Sequence, residues 1–187
     1  DTRFGAPEYG ASEPRYLLDG EQLVPTSETA DCEDHTAGTR YRARVEKSFR
    51  RILRCGTGPT DYWFQVQDKQ GNLYVYGRSG AARLQDYEGL ANIGAWHLER
   101  VVDTNGNLTQ LVYDTDAKAR PTVRHPQQTA ATHAEDFRQI YLTSILYTGR
   151  AYDGTRDPFG TAEVGHYHVE LRSEQDTRGR YLDRPDE

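Results

Sequence analysis

The chain has 187 residues, a formal net charge of -6 and a hydrophobic content of 35%, and its mean hydropathy is -0.89. The acidic balance argues against nucleic acid and anionic membranes as partners, because both select basic surfaces, and no apolar run reaches the roughly 18 residues of a membrane helix. With 13 tyrosines and 0 methionines, the composition favours half-buried sheets whose side chains keep a polar end over a thick aliphatic core.

The first predicted hairpin turns at Asp19-Gly20 in RYLLDGEQLVP, where short apolar strands flank a turn dipeptide. In residues 39–54, apolar and arginine positions first alternate, which predicts a half-buried strand with a solvated basic face. The apolar residues from Val45 to Leu53 are then spaced as in a helix. A helical turn therefore stays an alternative for this part of the segment.

The two cysteines, Cys32 and Cys55, have neither C-x-x-C spacing nor a zinc-type pattern. A disulfide and two free thiols are both compatible with their positions, so the redox compartment is left open. Cys32 also lies in a polar loop with Asp31, Asp34 and His35, but this spacing matches no metal motif.

Two segments share a skeleton that predicts related hairpins. YWFQVQDKQGNLYVYG has a tryptophan, a D-x-x-G-N turn and a strand ending in tyrosine, and AWHLERVVDTNGNLTQLVYD repeats this order about 35 residues later. In such a turn the aspartate bonds the backbone two residues on, and the glycine accepts a positive φ. We therefore expect the two tryptophans at equivalent places in successive hairpins. The signature residues are Trp63, Asp68, Gly71, Asn72 and Tyr76 in the first copy and Trp96, Asp103, Gly106, Asn107 and Tyr113 in the second.

The remaining chain is predicted to contain a loop and two further strands. Residues 117–134 are polar and contain proline, and we interpret them as an exposed loop insertion. In the last strand, Tyr167, Val169 and Leu171 share one face. The elements together predict an all-β, mainly antiparallel fold, a hairpin-rich curved sheet with at most short helical turns, over residues 1–187 as a single segment.

The D-x-x-G-N turns also resemble the start of a calcium loop, which needs about six oxygen ligands and a closing carboxylate. At the place of that closing acid, the second turn has Asp114 but the first has Ser79. We interpret both turns as plain hairpin turns that bind no metal.

No catalytic motif is recognised in the chain. G-x-S-x-G and a phosphate loop with its lysine are both missing from the sequence. His166 and His168 lie two apart and share a strand face, but no further ligands are identified by spacing. The sequence therefore predicts a protein that is not an enzyme and needs no cofactor.

A family resemblance rests on six motifs in a fixed order: RYLLDGEQLVP, RYRARVEKSFRRI, YWFQVQDKQGNLYVYG, AWHLERVVDTNGNL, IYLTSILY and YHVELRSEQD. From about Thr2 to Asp176, this set resembles the SpvB-type amino-terminal region of insecticidal Tc-toxin B components and related Rhs, or YD-repeat, proteins. The resemblance implies a structural segment of a bacterial toxin, forming part of a β-stranded shell that encloses and helps deliver a cytotoxic carboxy-terminal polypeptide. The ADP-ribosyltransferase of SpvB-named members lies in a distant domain that nothing in this chain matches, so that activity is not transferred.

The resemblance also implies partners and a location. The expected partners are the remainder of the same polypeptide, a C component that completes the shell and, indirectly, a pore-forming A component, with no nucleic acid and no membrane contact by this segment. The expected location is secreted or host-delivered as part of a toxin complex, although no signal peptide is recognised after Asp1.

Two other hypotheses follow from the residues. The alternative to a shell segment is a stand-alone β-sandwich binding module, for carbohydrate for example, with Trp63 or Trp96 exposed as a stacking platform. The third hypothesis is a small metal-dependent enzyme that uses His166 and His168.

Overall fold

A computed structural model describes residues 15–85, 92–116, 139–150 and 167–171. These residues form twelve strands and one short 3-10 turn. The strands are β1 (Tyr16–Leu18), β2 (Glu21–Asp31), β3 (Ala37–Ala43), β4 (Arg51–Cys55), β5 (Trp63–Gln67), β6 (Leu73–Tyr76), β7 (Arg83–Gln85), β8 (Ile93–Trp96), β9 (Leu98–Val102), β10 (Asn107–Asp116), β11 (Gln139–Arg150) and β12 (Tyr167–Glu170), and the 3-10 turn is Gly80–Ala82.

Ten of the strands form one sheet in the order β1-β2-β3-β4-β5-β6-β9-β10-β11-β12. Neighbouring strands in this sheet are all antiparallel, so the chain runs mostly as a meander. Between β6 and β9 the chain leaves the sheet, and β7 and β8 pair with each other as a separate two-stranded sheet. The prediction of an all-β, mainly antiparallel fold is confirmed, and the predicted loop at 117–134 lies outside the described residues.

The large sheet carries an apolar cluster on each of its faces. Ile52 and Leu53 are consecutive residues of β4 and both are buried, which is possible only if the sheet is covered on both sides, because consecutive strand residues point to opposite faces. We call the two sides the tyrosine face and the disulfide face. The tyrosine face carries Tyr16, Leu23, Tyr41, Ile52, Phe64 and Val66. The disulfide face carries Cys32, Leu53, Cys55, Trp63 and Val75.

The first hairpin forms as the sequence predicts. Asp19 and Gly20 have φ values of 52° and 78°, and they separate the paired residues Leu18 and Glu21. Positive φ at both central residues defines the type I′ turn, whose twist matches that of the flanking strands.

The helical alternative for residues 45–53 is wrong. Residues 44–50 form an irregular loop, and β4 begins at Arg51. Pairing with β3 on one side and β5 on the other satisfies the backbone of β4, whereas a helix there would leave β3 and β5 each unpaired on one edge. Ile52 and Leu53 therefore lie on opposite faces of a strand, and their helical spacing with Val45 and Phe49 does not produce a helix.

The last described strand is not covered. The apolar residues of the predicted common face, Tyr167, Val169 and Leu171, are all exposed, by 61%, 44% and 43%. β12 also ends the order of the sheet, as β1 does at the other end.

In the described part of the chain, no helix is long and apolar enough to cross a membrane.

Candidate functional site

The two D-x-x-G-N turns have the same backbone hydrogen bonds. In the first, the Asp68 amide donates to the Asn72 carbonyl (3.0 Å) and the Gly71 amide to the Asp68 carbonyl (3.1 Å). In the second, the Asp103 amide donates to the Asn107 carbonyl (3.1 Å) and the Gly106 amide to the Asp103 carbonyl (3.0 Å). The glycines have φ values of 93° and 80°, the region where a side chain would be strained.

Both turn carboxylates are occupied by donors from their own turn. Asp68 accepts from the amides of Gln70 and Asn72 at 2.9 Å each, and its second oxygen accepts from Asn72 Nδ2 and the Tyr74 hydroxyl. The Asp103 carboxylate accepts from the equivalent residues of the second turn. These oxygens hold the chain reversal together, as in a hairpin turn, whereas the carboxylates of a calcium loop must face the ion.

These hydrogen bonds set the pH dependence of the turns. Burial opposes the charge of Asp68, but the bonds from Asn72, Tyr74 and Gln70 hold its pKa below the ordinary value of 3.8. The bonds from Asn107 lower the pKa of Asp103 in the same way. A lowered pKa in the folded state means a contribution to stability that is complete above the unfolded pKa and is lost as the pH falls through the folded pKa.

We therefore expect the Asp68→Asn, Asp103→Asn double variant to have a lower Tm than wild type at neutral pH. Below about pH 4, where the wild-type carboxylates take up protons, the two Tm values should converge. Thermal unfolding from about pH 7 to about pH 2 measures this. The matched control is Asp114→Asn, since Asp114 is exposed and forms no side-chain hydrogen bond with a described residue. A Tm difference between the double variant and wild type that stays constant with pH would contradict the expectation.

The two signature tryptophans lie on opposite faces, so their predicted equivalence is wrong. Trp63 begins β5, is 2% exposed and belongs to the disulfide face. Trp96 ends β8, which pairs with β7, and it packs against the tyrosine face. There its ring meets Phe64 edge-on at 5.1 Å, and its Nε1 donates to the Tyr62 carbonyl at 2.6 Å.

A bulge explains the change of face. Val75 pairs with Arg100 but the next residue, Tyr76, pairs with Leu98, so Glu99 is an extra residue in β9. One extra residue reverses the faces of everything that precedes it. The second hairpin of the large sheet thus begins at Leu98, and Trp96 precedes it in the separate β7–β8 sheet.

The signature tyrosines also differ in their roles. Tyr76 ends β6 and packs against the tyrosine face. Tyr113 lies within β10, and its hydroxyl donates to the Leu98 carbonyl at 2.6 Å. The repeat is therefore closest in the two turns themselves.

The cysteines, whose state the sequence left open, form a disulfide. Cys32 and Cys55 have Cα atoms 6.1 Å apart and are bonded, and they are 3% and 0% exposed. Gly38 makes this possible, because an added Cβ would lie 2.5 Å from Cys32 Sγ. The bond removes Cys32 from the metal-like cluster in its loop.

An ionic network holds the loop after β2 against the disulfide face. The Arg78 guanidinium lies 4.5 Å from the centre of the Trp63 ring and bonds Asp34 Oδ2. Despite the cost of burial, bonds from Thr36 and Arg78 lower the pKa of Asp34. The neighbouring Glu33 has a raised pKa because of its burial, which the charges of Arg100 and Arg78 only partly offset.

A buried arginine joins three segments near the start of the β7–β8 excursion. Arg83 is 8% exposed, and it donates from Nε to the Gly77 carbonyl (2.6 Å), from Nη1 to that of Thr60 (2.9 Å) and from Nη2 to that of Arg78 (2.8 Å). Sequence analysis gave no sign of this residue, because its partners are backbone groups that no motif records.

No metal centre is assembled from the described residues. Over these ranges, no group of three or more His, Cys, Asp or Glu side chains is placed to hold an ion. His168 is exposed on β12, and His166 lies outside the described residues. The candidate functional features are therefore the surfaces and edges of the sheet.

A family described as "Salmonella virulence plasmid 65kDa B protein" (SpvB) matches residues 1–175. The chain is similar to "Mono(ADP-ribosyl)transferase SpvB" of Salmonella typhimurium, with 31% identity in an alignment of 121 residues; the match covers 56% of this chain and 20% of that protein. The same values hold for the relative from Salmonella dublin. The chain therefore spans about a fifth of the length of these curated relatives.

Solved structures show the same fold. The N-terminal domain of effector protein SpvB from Salmonella typhimurium strain LT2 aligns with a TM-score of 0.61 and 25% identity, over 88% of this chain and 55% of that one. The Photorhabdus luminescens Tc holotoxin pore aligns with a TM-score of 0.64 and 22% identity, over 83% of this chain and 7% of that one. The region matched in these structures is thus about half of an N-terminal domain in one case and a small part of a toxin chain in the other.

Proposed function

This chain belongs to the SpvB family, described as "Salmonella virulence plasmid 65kDa B protein", and on that premise we propose that it is a non-catalytic wall segment of a β-stranded toxin shell. The shell encloses a cytotoxic carboxy-terminal polypeptide and helps to deliver it. The whole of residues 1–187 acts as one segment of this wall, in a complex that is secreted or delivered to a host.

One observation carries the proposal: a single sheet of ten strands has an apolar cluster on each face. A wall one sheet thick has two sides and needs some packing on both, whereas a sandwich concentrates its apolar residues between two sheets. The buried Trp63 and the hydrogen-bonded Trp96 count against the alternative of a carbohydrate-binding module, which needs an exposed ring for stacking.

The ends of the sheet are the contact points for the partners. The Leu171 amide donates to the Thr143 carbonyl of β11 at 2.8 Å, and backbone groups alternate in direction along a strand. The amide of His168 therefore points away from β11, towards the outer edge of the strand. Such an edge is completed by another strand, which the remainder of the same polypeptide supplies. A C component closes the shell, and a pore-forming A component meets the assembled particle.

We expect His168→Pro to impair shell assembly in the full-length polypeptide, while His168→Ala assembles normally. Proline removes the outward amide that a neighbouring strand needs, but on an edge it leaves the pairing with β11 intact. The measurement is the protection of the enclosed polypeptide from added protease, after co-expression with the shell-completing partner and size-exclusion chromatography.

The isolated chain provides the control for this experiment. Both His168 variants should unfold at the wild-type Tm when the 187-residue chain is tested alone. Equal cargo protection in the two full-length variants would argue against a wall role for this edge.

A further inference from the structure

A groove of about 390 Å³ opens on the surface between β2 and the loop that joins β3 to β4. The pairing of β2 with β3 jumps from Pro25–Tyr41 to Thr29–Thr39, so residues 26–28 of β2 bulge outwards. Thr26 and Glu28 line one side of the groove, and the loop lines the other.

Phe49, at the end of that loop, is held in an unfavourable conformation. Its φ is 51°, in a region that bulky residues rarely adopt, and its amide donates to Glu46 Oε1 at 2.6 Å. Its side chain is 75% exposed, so burial in this chain does not offset the strain. Strained residues that persist in folded proteins are concentrated at functional sites.

Two arginines that line the groove with Phe49 are placed next to each other and form no ion pair with a described residue. One carboxylate of the same groove, that of Glu46, bonds the Phe49 amide instead. In the antiparallel ladder of β3 and β4, Tyr41 pairs with Ile52. Arg42 follows Tyr41 and Arg51 precedes Ile52, so the two arginines occupy the next cross-strand position. Both are exposed, both line the groove, and neither forms an ion pair or side-chain hydrogen bond with a described residue. Like charges at such positions destabilise a sheet.

The remaining arginines of the groove differ from this pair. Arg40 bonds Glu28, and Arg50 bonds Asp19. Two guanidinium groups are thus left for an anion from outside, next to an exposed aromatic ring. The arrangement suits an occupant that carries both carboxylates and an apolar side chain.

We propose that this groove docks a short acidic segment of another protein, with a carboxylate between Arg42 and Arg51 and an apolar side chain against Phe49. A membrane fits less well, because a lipid surface attracts net charge over a wide area, and the chain as a whole carries -6. A short peptide meets only the groove. The inference holds whether or not the chain forms a shell wall.

The test uses two fluorescein-labelled peptides, one of alternating Glu and Leu and one of alternating Gln and Leu. We expect the 187-residue chain to bind the first in fluorescence anisotropy and to bind the second at least about tenfold more weakly. The Arg42→Gln, Arg51→Gln double variant should lose at least about tenfold in affinity for the acidic peptide.

Phe49→Asn should also weaken binding without lowering the Tm, because asparagine accepts a positive φ. The matched control is Arg44→Gln, an exposed loop arginine whose Nη1 bonds Gln22 and which does not line the groove; it should bind the peptide like wild type. Equal binding of the two peptides, or equal loss in the control, would overturn the proposal. So would binding to vesicles of phosphatidylcholine and phosphatidylserine in place of the peptide.

Discussion

Replacing Arg83 with methionine should lower the free energy of unfolding by about 3 kcal/mol, a large part of the stability of a domain of this size. Methionine fills a similar volume but donates no hydrogen bond. The carbonyls of Gly77, Thr60 and Arg78, which the guanidinium now satisfies, would be left without that donor, and the bond to Gly77 is buried. Urea unfolding followed by tryptophan fluorescence measures the change.

The lysine variant distinguishes geometry from charge at this site. Burial lowers the pKa of Arg83, yet a guanidinium keeps its charge under all ordinary conditions and spreads its donors in a plane. A single ammonium group cannot reach three carbonyls in three directions. We therefore expect Arg83→Lys to recover only a minor part of the loss caused by Arg83→Met.

Arg44→Met is the matched control for Arg83, because Arg44 is exposed and its guanidinium bonds the Gln22 side chain rather than backbone carbonyls. Its effect should stay within about 0.5 kcal/mol. An equally small effect of Arg83→Met would mean that the three carbonyls find other donors. Arg83 would then not be the residue that attaches the β7–β8 excursion to the sheet.

Local signals predicted much of the fold. The Asp19-Gly20 turn and the two D-x-x-G-N turns depend on residues within five positions of each other, and the structure forms all of them. Alternation of apolar residues likewise indicated strands. These features need no knowledge of distant parts of the chain, because a turn residue acts through its own φ and its own side chain.

The features that the sequence did not reveal depend on distant contacts. The position of Trp96 depends on the pairing of β8 with β7 and on one extra residue in β9, Glu99, which no local pattern marks as a bulge. The arginine network likewise needs backbone carbonyls from separate segments. The pairing of Cys32 with Cys55 depends on the ladders that join β2, β3 and β4, and these bring together residues 23 positions apart.

Removing the disulfide by Cys32→Ala and Cys55→Ala should lower the free energy of unfolding by about 3 kcal/mol, as expected for closing a loop of this length. The sequence separation of the two cysteines is 23, and their burial adds lost packing to the lost constraint. Urea unfolding under oxidising conditions measures the difference. Addition of dithiothreitol should bring the wild type close to the double variant and leave the variant unchanged.

Gly38 should be more costly to replace while the disulfide is present. Its added Cβ would lie 2.5 Å from Cys32 Sγ and 3.3 Å from Cys55 Sγ, with the Arg54 carbonyl oxygen at 3.1 Å. Gly38→Ala should therefore cost about 2 kcal/mol in the wild type. In the chain without cysteines, where only the contact with the carbonyl remains, it should cost about 1 kcal/mol less.

The matched control for this comparison of Gly38→Ala with and without the cysteines is Gly80→Ala, since no atom lies within 4 Å of the Cβ that it would add. Its small effect should be the same in both backgrounds. If the Gly38 and cysteine effects were simply additive, the strand would accommodate the methyl group without moving the sulfur atoms. The conclusion that a glycine on β3 makes room for the bond would then be wrong. A smaller effect of Gly38→Ala in the chain without cysteines would show that Gly38 and the disulfide are energetically coupled. Cys32, Gly38 and Cys55 would then act as one unit on the disulfide face.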